Sequence, residues 1–237
     1  ACTEKKGAIT QKNATAQTDT FKTKSGKTVI FTAIKHASIR INFDGREIEV
    51  DPVRGLKPTT DYSRFPKADF ILVTHEHFDH CDTAAIRQLE KPTTVIVTNA
   101  NCAKIIDKSK AMYNGDHMKL ADDITIDAVP AYNTTPGKEK YHPKGRDNGF
   151  ILTLDGFRVY ISGDTEDIPE MRNIKNIDVA FLSTNQPFTM TPEQTARAAK
   201  TIKPKVLYPY HYSDTDIQKV AALLKGTGIK VLIRNYQ

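Results

Sequence analysis

Cysteine is scarce and poorly spaced for chemistry: Cys2, Cys81 and Cys102 are the only three in 237 residues, and no two have the C-x-x-C spacing of a zinc or redox motif. Cys81 reads instead as a small buried side chain rather than a ligand. No stretch approaches the ~20 apolar residues of a membrane helix, which argues against a spanning segment in the body of the chain. A basic stripe is also missing. The net charge is +6, but the six lysines up to Lys27, set against Glu4 and Asp19, carry four of those charges. The remainder is near neutral, whereas a nucleic-acid binder keeps its positive charge on the folded part. Nothing past residue 27 resembles an interdomain linker, so residues 21–237 are expected to form a single domain. Residues 1–20, polar apart from a lone Ile9, cannot bury a core and are expected to be a disordered leader.

Histidine and carboxylate, by contrast, are concentrated. Thr74-His75-Glu76-His77-Phe78-Asp79-His80 places three of the seven histidines within six positions. The apolar run Phe70 to Val73 just before it has the character of a strand buried on both faces, and delivers the cluster to that strand's C-terminal end. Extended backbone through residue 77 would put His75 and His77 on one side, within reach of one cation, with Glu76 pointing away. Once the chain turns, Asp79 and His80 face a second cation, so H-x-H-x-D-H suits two metals better than one.

The flanking pattern is strand-rich. Thr28–Ile34 and Ser38–Phe43 read as strands, and Asp44-Gly45 as a two-residue hairpin turn into Arg46–Val50, ending at Asp51-Pro52. Asp82 can cap a short helix through Glu90, followed by a strand at Thr93–Thr98 and a helix near Ala100–Asp107. Ile124–Val129 is a further strand, feeding a polar loop that runs to Asn148. A second Asp-Gly hairpin at Asp155-Gly156 leads into Ser162-Gly163-Asp164, and the buried strand Val179–Leu182 echoes Ile71–Val73. Thr191-Pro192-Glu193-Gln194 is a capping-box helix start, Val206–Pro209 echoes Val95–Thr98, and Thr215–Leu224 and Ile229–Ile233 read as a helix and a last strand. The second half thus repeats the first, which predicts two similar β-rich halves packed sheet on sheet with helices outside.

Three further pieces lie at strand ends. Asp164, after a glycine, can project from a tight turn and bridge two cations, and His211 can complete the second site. His36 and Asp51 are placed to orient imidazoles from behind. His117 reads as an ordinary surface residue. Specificity is expected in the loop 131–148 and in Thr184–Met190, whose Phe188 and Met190 could equally plug the core.

His75-x-His77-x-Asp79-His80, the Gly163-Asp164-Thr165 turn, His211, and Lys35-His36-Ala37-Ser38 leading to Val50-Asp51-Pro52 together resemble the metallo-β-lactamase superfamily over about residues 28 to 235. Within it the closest likeness is to the branch of ascorbate-6-phosphate lactonase and the N-acylphosphatidylethanolamine-hydrolysing phospholipase D. The resemblance implies an α/β fold, a four-layer αββα sandwich with an internal two-fold repeat and the metals at one edge. It assigns His75 and His77 to a first metal, Asp79, His80 and His211 to a second, and Asp164 to both. The expected cofactors are two divalent ions, Zn2+ foremost, with Mn2+ or Fe2+ also fitting. They would hold a hydroxide that attacks an ester, lactone or phosphodiester of a small-molecule or lipid-like substrate, with Asp79 a ligand and a proton carrier. The alternative is a non-catalytic metal-binding or scaffold protein of the same fold; a diiron redox protein would need a carboxylate where His77 stands.

The sequence departs from the family pattern at one point. A histidine is usual after a strand such as Ile124–Val129, but Asn133 occupies that position. The expectation is that His142 supplies the first metal's third ligand, while Asn133 lines the pocket as a hydrogen-bonding group. Ala1-Cys2 and the basic leader resemble the cleavage region of a bacterial lipoprotein, giving an exported, lipid-anchored protein tethered through Cys2 on the periplasmic side or cell surface. The alternative is an incidental cysteine in a cytoplasmic protein.

Overall fold

The computed structural model describes residues 17–237. Strands β1 (Thr18–Lys22), β2 (Thr28–Lys35), β3 (Ser38–Phe43), β4 (Arg46–Val50), β5 (Phe70–Leu72), β6 (Val95–Thr98) and β7 (Ser109–Ala111) form one seven-stranded sheet in chain order. Strands β8 (His117–Ala121), β9 (Ile124–Ala131), β10 (Asp147–Leu154), β11 (Phe157–Ile161), β12 (Val179–Ser183), β13 (Val206–Tyr210) and β14 (Lys230–Val231) form the other, again in chain order. Each sheet starts antiparallel, through β4 or β11, and then turns parallel. The expected repeat is therefore present in topology as well as in sequence.

The hairpins that pin each register have the same backbone. Asp44 and Gly45 have φ of 50° and 83°, and Asp155 and Gly156 have 48° and 78°. Two successive positive φ angles give the tight turn whose twist matches the flanking strands, and Asp-Gly tolerates it. With register fixed, alternation sends Ile39, Ile41, Phe43, Ile48 and Val50 inward to meet Ile126, Leu152, Ile161, Phe181 and Tyr208 of the opposite sheet. Helices α1 (Thr83–Leu89) and α2 (Ala100–Ala103) cover the outer face of the first sheet through Ile71, Val73, Ile86 and Leu89. Helices α3 (Pro192–Ile202) and α4 (Gln218–Leu223) cover the second through Leu182, Ala199, Ile202 and Val220. The result is an α/β fold of four layers, αββα.

Local chemistry explains the helix starts. Asp82 accepts from Ala84 N at 3.0 Å, and Thr191 and Gln194 complete the capping box, at 3.0 and 2.8 Å. The edges depart from the sequence reading. Strand β1 starts at Thr18, inside the expected leader, because Asp19 is held by Arg234 at 2.8 Å and by the Tyr208 hydroxyl at 2.7 Å. Partners more than 180 residues away leave no local periodicity to read. Strands β7 and β8 also escaped the pattern, being edge strands with little buried area. The expected helix to Asp107 ends at Ala103, and the last strand shrinks to Lys230–Val231. Residues 1–16, with Cys2, lie outside the described residues.

Candidate metal centre

The centre lies at the C-terminal ends of strands from both sheets. Several of those strands end in a left-handed residue: His36 (φ 53°) after β2, Asp51 (φ 44°) after β4 and His211 (φ 51°) after β13. Gly163 (φ 61°), two residues past β11, does the same for Asp164, and a Cβ there would sit 2.7 Å from Asn148 O. Left-handed backbone is costly for residues other than glycine and persists where the surroundings enforce it, commonly at functional sites. Here each such turn aims a polar side chain into one volume.

Two groups of ligand atoms meet in that volume. His75, His77, His142 and Asp164 form one, and His36, Asp79, His80 and His211 the other; within each, the atoms lie within 4.8 Å of one another. In the first, His75 Nε2 is 3.1 Å from His77 Nδ1 and 3.6 Å from Asp164 Oδ2, and His142 Nε2 is 3.1 Å from Asp164 Oδ2. In the second, His80 Nε2 is 3.1 Å from His211 Nε2 and 3.5 Å from Asp79 Oδ2. Asp164 Oδ2 reaches this group too, 3.1 Å from His80 and 3.3 Å from His211. Ligands ~2.0–2.1 Å from a tetrahedral zinc are spaced ~3.3–3.4 Å apart, so these separations match the edges of such a polyhedron.

The imidazoles are fixed in one tautomer by what lies behind them. Asp51, fully buried, accepts from Thr74 N at 2.8 Å, Thr74 Oγ1 at 2.7 Å and His80 Nδ1 at 2.7 Å. Thr74 Oγ1 in turn accepts from His75 Nδ1 at 2.9 Å. His142 Nδ1 donates to Phe188 O at 3.0 Å, and His211 Nδ1 lies 3.3 Å from the Asn185 amide. For His75, His80 and His142 this turns Nε2 inward. Among the described residues, His142 Nε2 and Asp164 Oδ1 are buried without a hydrogen-bond partner, which is unusual in a folded interior. The donor set thus fits divalent cations.

Titration behaviour points the same way. Burial opposes a charge on His80, yet the Asp164 and Asp79 carboxylates override it and raise the ring well above the ordinary histidine range. His211 is pushed up to about 9, again against burial, by Asp164 and Asp79. Burial holds His75 well below its usual value. Burial also opposes ionisation of Asp164, but His211 and His80 keep its carboxyl well below the usual range. The carboxylates thus favour positive charge at His80 and His211, while burial disfavours it at His75.

Every histidine named from the sequence as a site residue is present here, and His117 stays outside, exposed and paired with Asp127 at 2.7 Å. His36 is closer than a supporting role requires: Nε2 donates to Asp79 Oδ2 at 2.8 Å, and its ring lies 3.7 Å from that of His211. Asn133 is not among the residues lining the cleft: it is buried behind the loop, where Nδ2 donates to Lys138 O at 3.1 Å and Phe188 O at 2.8 Å, and its Oδ1 is buried without a partner among the described residues. Its backbone N donates to His142 O at 2.9 Å, so it braces the segment that presents His142.

The sequence reading missed Arg146, whose Nη2 lies 3.1 Å from the outer His77 Nε2, and Asn185, noted only within a specificity segment. Neither has a motif signal, since each acts through a contact across the fold. The same segment splits by role: Met190 is fully buried in the core, while Phe188 is 41 % exposed at the cleft.

Beside the ligands opens a cleft of about 760 Å3, whose apolar wall includes Ile34, Leu56, Pro58, Phe78, Tyr141 and Phe188. Phe78 is 79 % exposed on that wall. Lys35, buried under the wall, donates to the carbonyls of Arg54, Leu56 and Pro58 at 3.0, 2.6 and 2.9 Å and so pins the segment carrying Leu56.

Residues 30–211 match the beta-lactamase superfamily domain. A UPF0173 metal-dependent hydrolase of Ligilactobacillus salivarius (strain UCC118) is 32% identical over 187 residues, covering 75% of this chain and 82% of that protein. The crystal structure of a protein from Parabacteroides distasonis ATCC 8503, assigned as a metal-dependent hydrolase, superposes with a TM-score of 0.90 at 55% identity, covering 93% of this chain and 99% of that one. Igni18, a metallo hydrolase from Ignicoccus hospitalis KIN4/I, gives a TM-score of 0.73 at 25% identity over 88% and 96% of the two chains. With candidate ligand groups at the strand ends and these relatives, the chain belongs to the metallo-β-lactamase superfamily and is a metal-dependent hydrolase of that fold.

Proposed function

We propose that the centre holds two divalent ions and hydrolyses an ester bond, of the carboxylic, lactone or phosphodiester type, in a substrate with an apolar portion. The observation that carries this is Asp164 Oδ2, a single oxygen 3.1–3.6 Å from His75, His142, His80 and His211, two in each group. His75, His77 and His142 would hold one ion, Asp79, His80 and His211 the other, and Asp164 both. Imidazole-rich ligands suit zinc, and manganese or iron tolerate the same set. Such a pair supplies, when bound, a water that ionises near neutral pH and a Lewis acid for the oxygen that gains charge.

The protein supplies position and proton transfer. His36 holds Asp79 through Oδ2, leaving Oδ1 to take a proton from the attacking water and return it to the leaving group. The apolar wall seats a substrate's hydrocarbon portion on Leu56, Phe78 and Phe188 and keeps bulk water from the reacting bond. Purified, metal-loaded protein should hydrolyse long-chain esters or lactones, or phosphodiesters with an aryl or alkyl group, in preference to short polar analogues. Equal rates on both would remove the role of the wall. Asp164→Ala should reduce turnover to background while far-UV circular dichroism stays native; full activity in that variant would remove the shared ligand.

Export and lipid anchoring through Cys2 is the accompanying proposal, supported by Ala1-Cys2 and the basic residues that follow. Fractionation of native cells should place the protein with membranes and show Cys2 acylated. A soluble cytoplasmic pool with unmodified Cys2 would end it.

A further inference from the structure

The Cys81 and Cys102 sulfurs face each other at 2.6 Å, and neither has another hydrogen-bond partner among the described residues. Both belong to the apolar cluster under the first sheet, Cys102 fully buried and Cys81 partly open. Among the described residues, no histidine or carboxylate joins them in a ligand group.

What they would join matters more than their proximity. Cys81 follows His80 directly, and its backbone N donates to His77 O at 2.9 Å, so it belongs to the turn that carries the metal histidines. Cys102 lies in α2, whose N-terminal Asn99 caps Cys102 N at 3.0 Å and also donates to Glu76 Oε1 at 2.9 Å. Asn101 reaches Glu76 Oε2 at 3.3 Å. Helix α2 is already strapped to the histidine turn by hydrogen bonds at Glu76, and the two thiols are placed to add a covalent strap at its other end.

We propose that Cys81 and Cys102 form a reversible disulfide that fastens the His75–His80 turn to α2. The oxidant is a low-molecular-weight disulfide of the glutathione type. The Cys81 thiol, the accessible one, loses its proton and attacks one sulfur of that disulfide, giving a mixed disulfide and releasing one thiol. Cys102 then loses its proton and attacks the Cys81 sulfur, releasing the second thiol. Two protein thiols are oxidised, one external disulfide is reduced, and the two protons end on the two released thiols. The new bond closes a loop between residues 21 apart in sequence and removes freedom from the ligand-bearing turn.

Metal-loaded full-length protein is incubated with oxidised glutathione, alkylated under denaturing conditions and mapped without reduction. The expected product is a peptide pair cross-linked through Cys81 and Cys102 and released by dithiothreitol. Cys102→Ser should stop at a glutathione adduct on Cys81, and Cys81→Ser should leave Cys102 unmodified. Wild-type protein that keeps both thiols free, or stops at the glutathione adduct, overturns the pairing. A chelator should withdraw metal several-fold more slowly from the oxidised protein than from the reduced one; equal rates would overturn the fastening of the turn.

Discussion

His142 stands on a loop with no periodic signal, yet its Nε2 is buried, unpartnered and 3.1 Å from Asp164 Oδ2, while Asn133 has both side-chain N–H groups engaged with backbone carbonyls. His142→Ala should therefore weaken metal binding at the first site by about 10- to 100-fold, and Asn133→Ala by less, measured by competition with a chromophoric chelator. A larger loss in Asn133→Ala would reverse the assignment. The histidines of the β5 turn were legible because their spacing is itself the signal. His142 was legible only as the one histidine following a position where a ligand was missing.

Glu49 shows the same residue-scale logic turned against stability. Both its oxygens are buried without partners, and burial raises its pKa well above the ordinary 4.5. The folded state keeps the proton while the unfolded chain loses it above pH 4.5, so this residue's contribution to stability falls as pH rises through that value. Glu49→Met should raise Tm at pH 7, by about 2–4 °C for each kcal/mol relieved. The gain should shrink below pH 4.5. A gain that is constant with pH would contradict the protonated-carboxyl reading.

At the scale of elements, the strand ends do the positioning. Gly163 needs its positive φ and also its missing Cβ, because a methyl group would meet Asn148 O at 2.7 Å. Gly163→Ala should cost more than about 1 kcal/mol of stability and lower metal occupancy at both sites together, since Asp164 would shift with the turn. Titration of bound metal alongside chemical denaturation checks both, and loss from only one site would contradict it. Hairpins, capping boxes and buried parallel strands were readable because Asp-Gly, Thr191-x-x-Gln194 and runs such as Val179–Leu182 act within a few residues. Strands β1, β7 and β8 were not. They take their shape from a neighbouring strand or, as at Asp19, from Arg234, which follows the last strand of the other sheet, and contacts of that range leave no trace in local spacing.

At the scale of the molecule, the duplicated sheet explains where the centre is. Two copies of an antiparallel-then-parallel sheet pack through a common core, and the C-terminal ends of their strands open at one edge. The first half contributes His36, Asp51 and the His75–His80 turn; the second contributes His142, Asp164 and His211. Neither half carries a complete ligand set, so metal binding depends on their packing. Asp164, from the second half, places Oδ2 3.1–3.6 Å from histidines of both ligand groups, and the central claim is that it joins two ions. Anomalous diffraction at the zinc edge, on crystals grown with saturating zinc, tests this directly. The account predicts two peaks a few ångströms apart on either side of the Asp164 carboxylate, one among His75, His77 and His142 and the other among Asp79, His80 and His211. A single peak at saturation, or two peaks with Asp164 in contact with only one, would contradict it.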